Sequence, residues 1–388
     1  MSIYRVSAGR SRIVRPAVLG ITAVVMAVLV GASPVAAVTW IKTTLANAPG
    51  LNLQDASFEG HDVAVAWQQP GPVTKVRLSS NDGSSFSGTF TMPGHTRQAS
   101  TDICGGNAYI AYARDYSDGT HPNFWLIEIQ IRSMSGVYLG QTMAWPDATA
   151  RGQDPDVACA GGRLYVTWEQ RVGSQWHVYV NQALLSAPDF SGATPRDLGQ
   201  IGANAGEPAA TGAATRAYVA YPTPAGRIRI HRWGIGSGPS YAITDLGEQS
   251  LTGTGTNGLP RLAATGTKVV AVWYACGDAR VRVSTNRGAT WGATRTIFTG
   301  ACGSEFGGEP LNVAIHGSRT IVSYHYFNGF TNQQARMIST TNDFGSWTDQ
   351  HMYAGSAPML LGFVSPSGVT KLAGAVTEGT RLRYVRQA

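Results

Sequence analysis

Residues 153–168 read Gln-Asp-Pro-Asp-Val-Ala-Cys-Ala-Gly-Gly-Arg-Leu-Tyr-Val-Thr-Trp: a polar opening, a short apolar run, a Gly turn, and a second apolar run ending on an aromatic. The same phrase runs from Gln54 to Trp67, from Gln98 to Tyr112, from Gly206 to Tyr221, from Leu259 to Trp273 and from Gly308 to Tyr324. Its closing aromatics are 45, 56, 53, 52 and 51 residues apart, a period that marks a repeat architecture. A seventh copy begins at Ala357 and reaches Val376, but after the run Leu382–Val385 the chain stops one strand short of a full unit. Val38–Thr43, which no other repeat claims, supplies a free strand. Four-stranded units of about fifty residues, the last completed by the first strand of the chain, describe a closed β-propeller without a long exposed edge. The expected fold is therefore all-β, a seven-bladed propeller of antiparallel blades spanning 38–388; six blades is the alternative if the terminal strands only flank the ring.

Composition agrees. The chain has 388 residues, 43% hydrophobic and 14% charged, enough to bury a large core and too apolar for a disordered chain. Its 47 Gly, 19 Pro, 10 Trp and 15 Tyr suit short strands and turns and argue against an all-α fold. Arg5, Arg10, Arg12 and Arg15 precede an apolar run from Ala17 to Val30, followed by Ser33-Pro34-Val35-Ala36-Ala37. This is the pattern of a secretory signal peptide over 1–37, cut after Ala37, with a retained anchor as the alternative. Its removal takes four bases and no acids, leaving 26 bases against 23 acids. The basic balance thus belongs mostly to the signal and gives no reason to expect nucleic acid. A secreted monomer without a membrane span after cleavage is the expectation. Cys104, Cys159, Cys276 and Cys302 make an even set in an exported chain, and their places in the blades pair 104 with 159 and 276 with 302. No spacing points to a metal or a cofactor, and Asp115–Gly119 reads as a polar turn rather than a calcium loop.

A second phrase recurs between the third and fourth strands. Ser79-Ser80-Asn81-Asp82-Gly83-Ser84-Ser85-Phe86 and Ser284-Thr285-Asn286-Arg287-Gly288-Ala289-Thr290-Trp291 share one form, and Thr341–Trp347, with Asp343, Gly345 and Trp347, reads as a version one residue shorter. The chemistry suits a hairpin tip: the Asn side chain accepts backbone N–H groups, Gly supplies positive φ, and the aromatic folds beneath. These motifs resemble the Asp-boxes, or BNR repeats, of the sialidase superfamily. The resemblance covers most of residues 52–350 and implies the same propeller, with the Asp-boxes structural and placed opposite the active face.

On that face the repeat alignment nominates Asp102, Asp154, Asp156, Glu207, Arg261 and Glu309 at strand starts, and Gln68, Arg114, Asp115, Glu169, Arg171, Asp278, His325 and Tyr326 at the ends of second strands. Carboxylates mixed with Arg provide for a sugar-binding cup or for carboxylate-assisted hydrolysis. The resemblance implies a stricter set: three Arg clamping the substrate carboxylate (Arg114, Arg171, Arg261), an acid/base Asp (Asp102), and a Tyr nucleophile (Tyr324 or Tyr326) activated by Glu309. Asp154, Glu169 and Glu207 would complete the substrate contacts. The Arg-Ile-Pro tripeptide that carries the family's first Arg does not occur, and Val38–Gly50 contains one Lys and no Arg. Two functions follow: a module that engages a glycan or another cell-surface ligand, or an exo-α-sialidase, with a polysaccharide lyase as a third. The aromatics that end the second strands are expected to pack between blades.

Overall fold

A computed structural model describes residues 40–117, 124–145, 151–202, 206–213, 215–234, 241–248, 259–275, 278–299, 311–327, 333–354, 359–365 and 369–388. The signal segment and the pair Cys276 and Cys302 lie outside the described residues. Each repeat phrase becomes the first two strands of a four-stranded antiparallel sheet, and there are seven such sheets. The innermost strands are β2 (Asn52–Glu59), β6 (Thr96–Cys104), β10 (Gly152–Ala160), β14 (Ala209–Ala213), β18 (Arg261–Thr265), β22 (Asn312–His316) and β26 (Met359–Val364). Their hairpin partners are β3 (Asp62–Gln69), β7 (Asn107–Asp115), β11 (Arg163–Val172), β15 (Arg216–Pro222), β19 (Lys268–Ala275), β23 (Arg319–Phe327) and β27 (Lys371–Glu378).

The second strands are near-continuous apolar runs because each blade is covered on both faces by its neighbours. In β3, Val63, Ala64, Val65, Ala66 and Trp67 are all buried, alternate residues facing opposite junctions. Each of the seven blade junctions carries its own apolar cluster. Trp67, Tyr112, Trp168, Tyr221, Trp273 and Tyr324 are buried in these clusters, as expected of inter-blade packing.

The seventh blade settles the blade count. β1 (Trp40–Asn47) pairs antiparallel with β28 (Arg381–Gln387), Trp40 opposite Gln387 and Thr43 opposite Tyr384, so the blade runs β26, β27, β28, β1 from the axis outwards. Leu45 of β1 is buried in the cluster joining the seventh blade to the first.

The octapeptide turns join third to fourth strands: β4 (Val73–Ser79) to β5 (Phe90–Thr91), β20 (Asp278–Ser284) to β21 (Arg295–Phe298), and β24 (Gln333–Thr340) to β25 (Thr348–Ala354). In the first, Asn81 Oδ1 accepts the Ser85 N–H at 2.9 Å and Ser79 Oγ accepts the Gly83 N–H at 2.9 Å. The second repeats this with Asn286, Thr290, Ser284 and Gly288. The third corrects the shorter alignment: Thr340 Oγ1 accepts the Phe344 N–H at 3.2 Å and Asn342 Oδ1 accepts the Ser346 N–H at 3.0 Å, so Thr340 opens a full-length turn. Phe344 then takes the place of Gly83 and Gly288, at φ 62°.

Candidate functional site

An innermost strand pairs on one side only, so its other edge presents backbone groups to the propeller axis. Each needs a partner. The residue opposite the position just before the strand-end aromatic is Asp55, Ser100, Asp156, Ala209, Arg261 and Asn312 in blades one to six, and the corresponding residue of the seventh blade is Leu360. All seven line one axial cavity of about 550 Å³.

Much of the polar chemistry here joins blade to blade. Asp55 Oδ2 accepts the Thr101 N–H at 2.6 Å, Asp102 Oδ2 the Cys159 N–H at 2.8 Å, and Asp156 Oδ2 the Ala210 N–H at 2.6 Å. Asn312 does the same for Leu361 at 3.1 Å. Ser100 Oγ lies between two acids, 3.3 Å from Asp55 Oδ2 and 2.5 Å from Asp156 Oδ1. At the lower end, the disulfide between Cys104 and Cys159 ties β6 to β10. That is the expected pair, and it makes the Asp102, Cys104 and Cys159 grouping a cross-link rather than a thiolate metal site.

Towards the upper face, where first strands begin, irregularities break the ladders of β2, β6 and β10 between Leu53 and Asp55, Arg97 and Ala99, and Gln153 and Asp156. Gln98 and Asp154 sit there at φ 52° and 48°, a left-handed backbone that non-Gly residues hold only when their surroundings impose it. Gln54 Oε1 accepts the Ala99 N–H at 3.0 Å and Gln98 Oε1 the Asp154 N–H at 3.3 Å, so the bulges of β6 and β10 are braced from the preceding blade.

Burial sets the charge state. It raises Asp102 to about 7, and it raises Asp156 to about 6 with help from the nearby Asp55. Asp154 rises to about 7 through burial and the neighbouring Glu207, against the attraction of Arg97 and Arg261. Glu169, buried behind Asp154, is pushed up by burial and by Asp154, and accepts the Gly206 N–H at 2.6 Å. Near neutrality the cavity therefore holds partly protonated carboxyls able to donate as well as accept.

Of the expected residues, Gln68, Asp102, Asp154, Asp156, Glu207 and Arg261 line this cavity. The expected clamp is dispersed. Arg261 Nη2 is 2.7 Å from Glu207 Oε2, within the cavity. Arg114 instead pairs at 3.2 Å with the buried Glu128 of β8 (Trp125–Ser133), within its own blade. Arg171 is exposed, its Nε donating to the Gly173 carbonyl at 3.2 Å. Tyr324 is buried between blades five and six, its hydroxyl donating to Asp349 Oδ2 at 3.1 Å, so the nucleophile role does not fit its place. Glu309 and the Tyr326 side chain lie outside the described residues. Asp115 Oδ1 accepts the Ser117 N–H at 2.8 Å, the bond of a polar turn.

Asp55, Ser100, Asn312 and Arg97 are among the cavity residues that escaped the sequence reading. Aligning the repeats on the Pro and Gly around the first strand misses them; counting back from the second-strand aromatic through the hairpin finds Asp55 and Asn312. Arg97, one residue before a bulge, has no counterpart in the repeat.

A seven-bladed propeller with a polar axial cavity is the class that the fold and site define. No protein-family model matches the sequence, and a search of the curated proteins finds no match. Among solved structures, the chain is similar to the Trypanosoma rangeli sialidase in complex with the inhibitor DANA, at 13% identity and a TM-score of 0.47, over 87% of this chain and 60% of that one. It is also similar to a subtype N10 neuraminidase-like protein of A/little yellow-shouldered bat/Guatemala/060/2010, at 11% identity and 0.46, over 90% and 98%. A chain from a study of two prolyl endopeptidases gives 15% and 0.49, over 84% and 47%. The chain thus spans about 60% of the length of the trypanosomal sialidase.

Proposed function

We propose that this chain is a secreted, monomeric binding module that takes a polyhydroxylated, carbohydrate ligand in its axial cavity on the upper face. One observation carries the reading: of the three arginines nominated to clamp a substrate carboxylate, only Arg261 lines the cavity, and Glu207 already neutralises it. With Arg261 engaged by Glu207 and the other two elsewhere, these positions do not assemble the three-arginine clamp that a sialic acid carboxylate would need. The remaining lining of carboxyls, Ser100 and Asn312 offers donors and acceptors suited to sugar hydroxyls. Secretion is supported by the export pattern over 1–37 and is compatible with the disulfide. Among the described residues no helix is long and apolar enough to cross a membrane.

A glycoside hydrolase is the second reading, favoured by one feature: Asp154, held near 7 in the cavity, has the protonation a general acid requires. Incubating the purified protein with a fluorogenic sialoside and with neutral aryl glycosides separates the two. Binding of oligosaccharides without aglycone release is the expected result. Release that Asp154→Asn abolishes would establish the hydrolase instead.

A further inference from the structure

The three Asp-box-like turns differ at the residue that follows their Asn. In blades one and six it is an acid with a basic partner: Asp82 Oδ1 lies 3.0 Å from His61 Nδ1, and Asp343 Oδ1 lies 2.5 Å from Lys268 Nζ. In blade five it is Arg287, an exposed base among other bases. This turn covers Tyr218 of β15. A Cβ on Gly288 would lie 3.1 Å from Tyr218 Cε1, 3.5 Å from Arg232 Cδ and 3.7 Å from Trp291 Cζ2, so those three side chains meet at one glycine. Arg232, on β16 (Arg227–Gly234), stands directly opposite Tyr218 in the ladder, and Arg216 precedes Tyr218 by two residues, so all three share one face of blade four. Arg232 Nη1 also donates to the Arg287 carbonyl at 3.2 Å, which ties that face to the turn. Three donors of the cluster are buried without a hydrogen-bond partner: the Tyr218 hydroxyl, Arg216 Nε and Trp291 Nε1. In blade one the corresponding carbonyl, that of Asp82, accepts both Arg386 Nη1 at 3.2 Å and the Tyr384 hydroxyl at 2.8 Å. Burial raises the pKa of Tyr218 against the charges of Arg216, Arg232 and Arg287, and no carboxylate among the described residues acts on it.

We propose that Arg216, Arg232 and Arg287, gathered over the Tyr218 hydroxyl, form a site for a tetrahedral oxyanion, a sulfate or phosphate group, on the side of the ring opposite the mouth of the axial cavity. Three like charges repel one another unless a counter-ion joins them, and buried donors are stable only when something accepts from them. Guanidinium forks that arrive from two strands and a turn suit an ion with oxygens in several directions better than a planar carboxylate with two. The cluster offers N–H and O–H groups, which select an ion with no proton of its own to place: sulfate, or a fully ionised phosphate ester. The site is independent of the axial cavity and of any ligand bound there.

Calorimetric titration of the intact protein with sodium sulfate, against sodium chloride at matched ionic strength, tests it. Sulfate should bind saturably at one equivalent and chloride should not. Arg216→Gln should weaken sulfate about tenfold or more, the worth of one charge-assisted contact. Arg287→Asp should abolish binding, because it places at the exposed turn the acid that blades one and six carry there with closely similar backbone, φ 59° against 59° and 55°. Arg163→Gln alters the same repeat position as Arg216, two residues before Tyr165 in blade three, and should leave sulfate binding unchanged. Titrations with 4-nitrophenyl sulfate, 4-nitrophenyl phosphate and inorganic phosphate separate the sources: tighter binding of an ester supports an esterified ligand at this site, tighter binding of an inorganic ion a free one. The proposal is overturned if sulfate binds no better than chloride, if Arg287→Asp binds it as the wild type does, or if Arg163→Gln loses as much as Arg216→Gln, since diffuse charge would then explain the binding. Arg287→Asp decides the matter even if Arg216→Gln fails to fold.

Discussion

Gly83 and Phe344 occupy the same place in equivalent turns and solve the same problem in opposite ways. Both have left-handed backbone, φ 70° and 62°. At Gly83 the space a side chain would fill belongs to the neighbouring blade: an added Cβ would lie 2.0 Å from Tyr384 Cε1, whose hydroxyl donates to the Asp82 carbonyl at 2.8 Å. At Phe344 the side chain supplies the aromatic itself, fully buried between blades five and six. Gly83→Ala should therefore cost about 2–4 kcal/mol, combining left-handed strain with overpacking against Tyr384. Phe344→Gly relieves about 1–2 kcal/mol of strain but forfeits about 3–5 kcal/mol of buried aromatic, so it too should destabilise. Chemical denaturation of the two variants checks both signs; a stabilised Phe344→Gly would show that the ring contributes little to that junction. The sequence shows the Gly of this motif plainly. It does not show that a Phe can replace it, because nothing local reveals which blade provides the aromatic.

At the scale of the element, the inner strands explain why the axial acids exist. Asp55, Asp102 and Asp156 accept N–H groups from the next blade's free edge, work that a ligand site does not require. Their burial has a consequence for stability. Asp102 and Asp156 titrate in the folded protein near 7 and 6, above the ordinary value near 3.8 that an unfolded chain restores. The folded state then binds more protons than the unfolded state between those limits. Their contribution is fully present below about pH 4 and is lost as pH rises through 6 to 7. With other groups held constant, the melting temperature should fall by several degrees between pH 5 and pH 8. Asp156→Asn keeps an oxygen for the Ala210 N–H but cannot ionise, so it should flatten that slope; a profile as steep as the wild type would remove Asp156 from the account. The strand pattern that places these acids is legible in the sequence, and six nominated residues do line the cavity. Which acids face an N–H and which face open cavity is not, since it depends on the bulges at Gln98 and Asp154.

For the whole molecule, the ring is only as strong as its last seam. Removing β1 (residues 40–47) would strip Leu45 from the junction cluster and leave β28 as an open edge. A loss of about 3–5 kcal/mol follows from one buried Leu and a strand of ladder bonds, and calorimetry should show it as a lower, broader transition. An unchanged transition would mean that the seventh blade stands without its outer strand. Closure was readable because the unpaired strands at the two ends of the repeat array had no other partners. The dispersal of Arg114, Arg171 and Arg261 was not, because an Arg at the end of a second strand can turn towards the axis, into its own blade or out to water, and only the neighbouring acid decides.

The closing pair has a further, mechanical meaning. β1 and β28 run antiparallel, with Trp40 opposite Gln387 and Asn47 opposite Arg381, so the outer ends of both strands lie side by side. Tension applied between those two ends loads the ladder one rung at a time, from Trp40 and Gln387 inwards, rather than all rungs at once in shear. A protein tethered at one end and pulled at the other would peel open at this seam under modest force, releasing β1 while the six complete blades still hold their cores.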